Sequence, residues 1–217
     1  MDRFDLSALF SGMTAYGSDD PLLTGLREEA QKDRIPIARP QTAGFLAQIT
    51  AVTRPERILE VGTAIGYSAI VMAMEMPPQG RITTIENYAP RIARAKENFR
   101  RFSRGDSIEL LEGNAEDILP ALAGPFDLIF MDAAKGQYIH FLPDVLRLLA
   151  EGGVLVSDNI FLDGEIFQER QDVIRRDRTM HTRMQDYVRA LYDVPELLTS
   201  ILPLEDGVAV SFRRRSQ

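Results

Sequence analysis

From Arg57 onward, short apolar runs alternate with stretches in which apolar residues recur every three or four positions. The short runs predict strands: RILEV (Arg57 to Val61), RITTIE (Arg81 to Glu86), Ile108 to Leu111, FDLIFM (Phe126 to Met131) and GVLVS (Gly153 to Ser157). FDLIFM is apolar at nearly every position, as in a strand buried on both faces. The stretches between them predict helices with inward faces Ile70, Val71 and Met74, then Ile92, Ala95, Phe99 and Phe102, then Tyr138, Phe141, Leu142, Val145 and Leu148. Two helices precede this pattern. Asp20 caps the first, with Pro21 in its first turn and Leu22, Leu23, Leu26 and Ala30 on one face; the second starts near Pro40 and buries Phe45, Leu46 and Ile49. A long helix is expected from Arg170 to Tyr192, carrying Met180, Met184, Tyr187, Val188 and Leu191. Leu198 to Leu204, the turn Glu205-Asp206-Gly207 and Val208 to Arg213 then read as a hairpin.

Five strand–helix units imply a parallel sheet with right-handed crossovers, and the hairpin adds an antiparallel strand. No linker divides the chain, so residues 1–217 are expected to be a single domain, with a helical N-terminal extension over 1–52 and an α/β core over 53–217.

Composition narrows the chemistry. The chain has no cysteine and only two histidines, His140 and His181. That excludes disulfides, thiol catalysis and cysteine–zinc sites, and a reducing, cytoplasmic setting is expected. The acidic segment MDRFDLSALFSGM does not read as a signal peptide, and no run approaches the ~20 apolar residues of a membrane span. The formal net charge of −7 gives no global sign of nucleic-acid binding. Phe4, Leu6, Leu9 and Phe10 form an apolar patch that would suit a homodimer.

In an open α/β sheet, ligands sit beyond the carboxyl ends of the strands, so those ends carry the candidate chemistry. The first ends in Glu60-Val61-Gly62-Thr63-Ala64-Ile65-Gly66-Tyr67-Ser68. Gly62 and Gly66 permit a tight turn and close approach to a ligand. Ala64 occupies the second glycine position of a dinucleotide fingerprint, and no P-loop lysine follows. Glu60 suits a cationic amino group better than a pyrophosphate. Glu86, ending the second strand, can accept both hydroxyls of an adenosine ribose. Gly113-Asn114-Ala115-Glu116, after the third, can flank an adenine edge.

The fourth strand ends in Met131-Asp132-Ala133-Ala134-Lys135-Gly136-Gln137-Tyr138 and the fifth in Ser157-Asp158-Asn159. Asp132, Asp158 and Asn159 form an all-oxygen donor set of the kind magnesium prefers; Mn2+ or Ca2+ are alternatives. Lys135, three residues beyond Asp132, is a candidate base for a hydroxyl activated by that cation, so Lys135 and Asp132 are the expected catalytic pair. Helix caps at the two aspartates and a surface lysine are the structural alternatives.

ILEVGTAIGYS, the Glu86 strand, MDAAKGQY and SDN, in this order, resemble the cation-dependent O-methyltransferases of the catechol and caffeoyl-coenzyme A type, over roughly Ile35 to Arg213. The resemblance implies a Rossmann-like, class I S-adenosylmethionine-dependent methyltransferase fold with a seven-stranded, mostly parallel sheet. It also implies Lys135 as base and Asp132, Asp158 and Asn159 as magnesium ligands. GTAIGYSAI, DAAKGQY, the stretch from Asp158 to Gly164 and ILPLEDGVAVS are similar to the bacterial branch that converts 5-hydroxyuridine at the tRNA wobble position to 5-methoxyuridine. By that resemblance Ala38, Ser68, Glu86, Ala115 and Asp132 contact the cofactor; Asn114 departs from the aspartate common in related sequences.

A 5-hydroxyuracil presents a hydroxyl beside its 4-carbonyl, a chelating pair like the two hydroxyls of a catechol. The tRNA anticodon region is thus one expected partner and a small hydroxylated aromatic, a catechol or phenol, the other. Arg100, Arg101 and Arg104, the arginines from Arg170 to Arg183, and Arg213 to Arg215 are candidate phosphate contacts. Phe161, Phe167 and Tyr138 are candidate stacking partners for a splayed base. A solvated helix face is the plain reading of the same arginines. A dinucleotide-dependent oxidoreductase and a noncatalytic binding module are the remaining readings. The missing glycine and the acidic cluster oppose the former, and Lys135 beside a full donor set opposes the latter.

Overall fold

The computed structural model describes residues 16–216; the Phe4, Leu6, Leu9 and Phe10 patch lies outside them. The elements run α1 (Pro21–Asp33), α2 (Pro40–Thr53), β1 (Arg57–Val61), α3 (Tyr67–Glu75), β2 (Arg81–Glu86), α4 (Ala89–Arg101), β3 (Ile108–Glu112), α5 (Ala115–Ile118), β4 (Phe126–Met131), α6 (Tyr138–Leu148), β5 (Leu149–Ser157), α7 (Arg178–Asp193), β6 (Leu197–Leu202) and β7 (Val208–Arg213). The seven strands form one sheet in the order β3-β2-β1-β4-β5-β7-β6. Only β7 runs against its neighbours, pairing antiparallel with both β5 and β6. The strand order reverses between β1 and β4, the switch point at which such sheets open a crevice.

Both faces of the sheet are covered. Ile58, Leu128 and Val156 pack on one side with Leu23, Leu26, Leu46 and Ile70, from α1, α2 and α3. Leu59, Ile129 and Leu155 pack on the other with Phe141, Val145, Tyr187 and Leu191, from α6 and α7. Strands sandwiched in this way are apolar at successive positions, which is why β4 lacks clean alternation. Among the described residues, no helix is long and apolar enough to cross a membrane.

The expected cap of α1 forms: Asp20 Oδ1 accepts the Leu23 N–H at 3.0 Å. Three boundaries differ from the sequence pattern. Strand β5 begins four residues early, at Leu149 rather than Gly153; Leu149 pairs with Phe126, and a register irregularity between Phe126 and Leu128 leaves Ala150 to Gly153 bulged out before pairing resumes at Val154. Strand β6 spans Leu197–Leu202 and is shorter than the expected Leu198 to Leu204. Helix α7 starts at Arg178 rather than Arg170. The preceding segment has helix-forming residues but little to bury: Val173 is enclosed while Ile174 is 60% exposed. The Arg178 guanidinium instead donates to the carbonyls of Val173 and Gln171. Tertiary burial, not propensity, sets this helix boundary.

The β6–β7 turn reaches back across the molecule. Arg39 caps α2 without a side-chain bond. Glu205 supplies one: its carboxylate accepts the N–H groups of Gln41 and Thr42 and the Thr42 hydroxyl. Next to it, Asp206 Oδ1 accepts the Asp163 N–H at 2.7 Å, and its carbonyl accepts the Phe161 N–H at 2.9 Å. One turn thus ties the N-terminal helices to the loop that follows β5.

Glu60, on β1, is 0% exposed and takes a hydrogen bond from the Thr84 hydroxyl, while its Oε1 has no partner. Burial pushes this carboxyl up to about 8; Ser68 and Thr84 oppose the rise, and the charges of Asp132 and Glu86 add to it. A buried acid of this kind stays protonated in the native state.

Two outcomes follow from this packing. Glu205→Ala should lower unfolding free energy by about 1 kcal/mol, the usual effect of losing an N-cap, with an unchanged denaturant slope in urea titrations. Between the ordinary carboxylate value and about 8, the native state binds more protons at Glu60 than the unfolded chain does. Its contribution to stability is therefore lost as pH rises through that window, with a limiting slope of about 1.4 kcal/mol per pH unit. Thermal melts of Glu60→Gln from pH 5 to 9 should show a shallower decline than the wild type.

Candidate active site

The register of the parallel strands brings the expected acidic residues together. Val61 pairs with Met131, and Met131 with Ser157. Asp132 and Asp158 are the next residues along their strands, so they emerge side by side. The Asp132 N–H donates to the Val61 carbonyl at 2.9 Å, and the Asp158 N–H to the Met131 carbonyl at 3.0 Å. Gly62, which follows β1, has φ 105°, and a Cβ there would lie 2.2 Å from the Asp132 carbonyl oxygen. The glycine is thus required by the close approach of β4, apart from any ligand.

A cavity of about 1000 Å³ opens over these strand ends. Gly62, Glu86, Ala115, Asp132, Lys135 and Asn159 line it, all of them expected site residues. Asp158 does not; it lies just behind the wall at 2% exposure. Ala38, Glu60 and Ser68 also do not line it. Ala38 belongs to the core while its neighbours Ile37 and Arg39 face the cavity, and Glu60 and Ser68 are buried. The expected direct role of Glu60 toward a cationic amino group does not match this placement, because β1 turns its carboxylate to Thr84. Asn87, Arg91 and Asp177, and Met180, expected only as a packing residue of the long helix, also line the wall. Their proximity depends on how the start of α4, the start of α7 and the segments before them sit over the strand ends, not on any local motif.

Glu86 is held by its own backbone surroundings. Its Oε2 accepts the Ala64 N–H at 2.9 Å, and its Oε1 accepts those of Asn87 and Tyr88 at 3.1 and 3.0 Å. This fixes the orientation of the acceptor at the end of β2. Asn114 accepts from the Asn87 side chain at 2.8 Å and closes the same end of the cavity.

At the other end, Lys135 Nζ lies 2.7 Å from Asp132 Oδ1 and 3.3 Å from the Tyr138 hydroxyl. A short 3-10 turn over Lys135–Gln137 brings the lysine back over Asp132. Asn159 adopts a left-handed backbone, φ 54°, uncommon for a residue other than glycine, and donates its N–H to Asp158 Oδ1 at 2.8 Å. Burial pushes the Asp158 carboxyl up to about 7, and the nearby Asp132 charge adds to this while Lys135 opposes it. Lys135 makes its ion pair with Asp132, while the Asp158 carboxyl is met by the Asn159 N–H, so this end of the cavity has acidic groups in excess that a cation would relieve. Among the described residues, no three His, Cys, Asp or Glu side chains gather as a metal cage. The available set is two carboxylates and the Asn159 amide. These hard oxygen donors fit a divalent cation of the magnesium type, with water or substrate completing its shell.

The aromatic candidates divide. Tyr138 is 0% exposed, so it cannot stack on a base. Phe167 is 74% exposed, with its ring centroid 4.9 Å from that of Phe161.

Comparison with known proteins adds the family. The O-methyltransferase family profile matches residues 12–214. The catechol O-methyltransferase of Mycobacterium tuberculosis is 37% identical over 167 residues, 75% of each chain. That of Niastella koreensis is 36% identical over 156 residues, 70% of this chain and 71% of the relative. The SAH-bound Podospora anserina methyltransferase PaMTH1 has the same fold, with a TM-score of 0.81 and 26% identity over 100% of this chain and 98% of its own. The sheet is that of a Rossmann-like methyltransferase, as the motifs predict, and by its match over nearly the whole sequence the chain belongs to the family of S-adenosylmethionine-dependent O-methyltransferases.

Proposed function

We propose that this enzyme transfers the methyl group of S-adenosylmethionine to one hydroxyl of a small catechol-like aromatic, with a divalent cation, Mg2+ by donor chemistry, held by Asp132, Asp158 and Asn159. The observation that carries the reading is the pairing of two carboxylates at the ends of β4 and β5 with Lys135 beside them. When bound, the cation would lower the pKa of the acceptor hydroxyl and orient its oxygen.

The chain's own residues account for the rest. Glu86, anchored by three backbone N–H groups, offers acceptors for the ribose hydroxyls of the methyl donor. Asn114 and Ala115 flank the space for its adenine. Lys135 Nζ takes the acceptor's proton as the neutral amine, having first released its own proton to solvent when its ion pair with Asp132 opens. Methyl transfer then runs in line from sulfonium to oxygen and needs no covalent enzyme intermediate. Orientation in the cavity supplies most of the acceleration.

The wobble uridine of tRNA, the finer expectation raised by the motifs, has less support. The Arg104 guanidinium donates to the carbonyls of Ala73, Met76, Pro77 and Pro78. Arg213 donates to those of Leu146 and Leu149, and Arg100 pairs with Glu97. These arginines serve internal bonds rather than phosphate contacts. The cavity wall carries Glu86, Glu116, Asp132, Asp163, Glu165, Asp177 and Asp206 against Arg39, Arg91 and Lys135. Such a wall repels a polyanion and accepts a neutral aromatic. The two relatives named above are catechol O-methyltransferases, which agrees with the small-molecule reading.

Three results test this. With labelled methyl donor, product should form from catechols and not from 5-hydroxyuridine-containing tRNA; transfer to tRNA alone rejects the substrate proposed. EDTA, or Asp132→Ala, should abolish transfer while far-UV circular dichroism is unchanged, and full activity in a metal-free assay rejects the mechanism. Lys135→Ala should lower kcat by about 10²- to 10⁴-fold with methyl-donor affinity, measured by calorimetry, within a factor of about two of wild type.

A further inference from the structure

Tyr138 opens α6 directly behind the two carboxylates. Its ring is fully enclosed, edge-on to Tyr187 at 5.3 Å between centroids. Its hydroxyl stands at a junction of three elements. It donates to the Met131 carbonyl at 2.9 Å and, sharing the same proton, to the Asp158 carbonyl at 3.2 Å. It accepts from Lys135 Nζ at 3.3 Å. Met131 precedes Asp132, so the two carbonyls belong to the backbone that presents the two carboxylates.

Resting on the proposed metal-assisted reading, we propose that Tyr138 is a positioning residue for methyl transfer: its single buried hydroxyl sets the spacing of the β4 and β5 ends, and with it the separation of Asp132 from Asp158, while anchoring the amine of Lys135. The parallel ladder itself ends at Met131 and Ser157, and beyond it the Asp158 N–H to Met131 carbonyl bond is the direct backbone link between the strand ends. The phenol is the side-chain bridge across that gap. Groups that orient donors without touching the cation change its binding when removed, which a packing role alone does not. Tyr187 supplies the comparison. It is equally buried on the same side of the sheet and its hydroxyl pairs with that of Ser157, but it touches neither strand-end carbonyl nor Lys135.

The test uses the intact protein with Mn2+ as the probe, titrated by electron paramagnetic resonance in the absence of substrate and methyl donor. Tyr138→Phe should weaken Mn2+ binding and lower kcat for a catechol, each by about 10- to 100-fold. The KM for S-adenosylmethionine should stay within about twofold of wild type. Tyr187→Phe should leave Mn2+ affinity unchanged at a comparable loss of melting temperature. 4-Aminophenylalanine at position 138 restores a donor to both carbonyls and should recover most of the Mn2+ affinity; it carries the test if the Phe variant proves too unstable to titrate. Wild-type Mn2+ affinity and kcat in Tyr138→Phe, weak binding by the 4-aminophenylalanine variant, or equal losses in Tyr187→Phe would each overturn the assignment with the metal reading intact. Failure of the wild type to bind Mn2+ overturns both.

Discussion

The site depends on gathering like charge at one point of a parallel sheet. Register places Asp132 and Asp158 on neighbouring strand ends, and burial of Asp158 removes the water that would otherwise screen it from Asp132. In low dielectric two carboxylates repel strongly. The chain compensates in part, with one lysine and one backbone N–H, and the raised proton affinity of Asp158 reflects its burial first and the Asp132 charge second. In the proposed mechanism this crowding of acidic groups is what a cation would relieve, and the arrangement requires a rigid frame to persist.

Much of the surrounding structure supplies that frame. Gly62 lets β1 and β4 approach closely enough for Asp132 to be held by the Val61 carbonyl. Tyr138 fills the space behind the carboxylates with a hydroxyl whose bonding partners are all part of the site. On the far side, the β6–β7 turn clamps the loop after Asn159 through Asp206 and the start of α2 through Glu205. Elements more than a hundred residues apart therefore converge on one wall of the cavity. This is the usual division of labour in an open α/β sheet, where the strands fix positions and the loops beyond them carry chemistry.

The charge of the wall bears on the proposed substrate. Its acidic side chains outnumber its basic ones, and several arginines that could meet phosphate are bonded to backbone carbonyls instead. The same acidity that favours a divalent cation disfavours a polyanionic partner. The proposed cation and the proposed small neutral acceptor are in this sense favoured by one electrostatic property of the pocket.

Sequence pattern alone determined the strand–helix alternation, the three strand ends proposed to flank the methyl donor, and the Asp132, Lys135, Asp158 and Asn159 constellation. Each of these follows from local periodicity or from the identity of the residue that ends a strand. Only the tertiary structure decided that Glu60 turns away from the cavity toward Thr84, that Ala38 packs in the core, that α7 starts at Arg178, and that Tyr138 bridges two strand ends rather than stacking on a ligand. The physical reason is common to all four. Which carbonyl or hydroxyl a buried polar group meets depends on register and packing between segments distant in sequence, and a buried donor or acceptor must take whatever partner that packing provides.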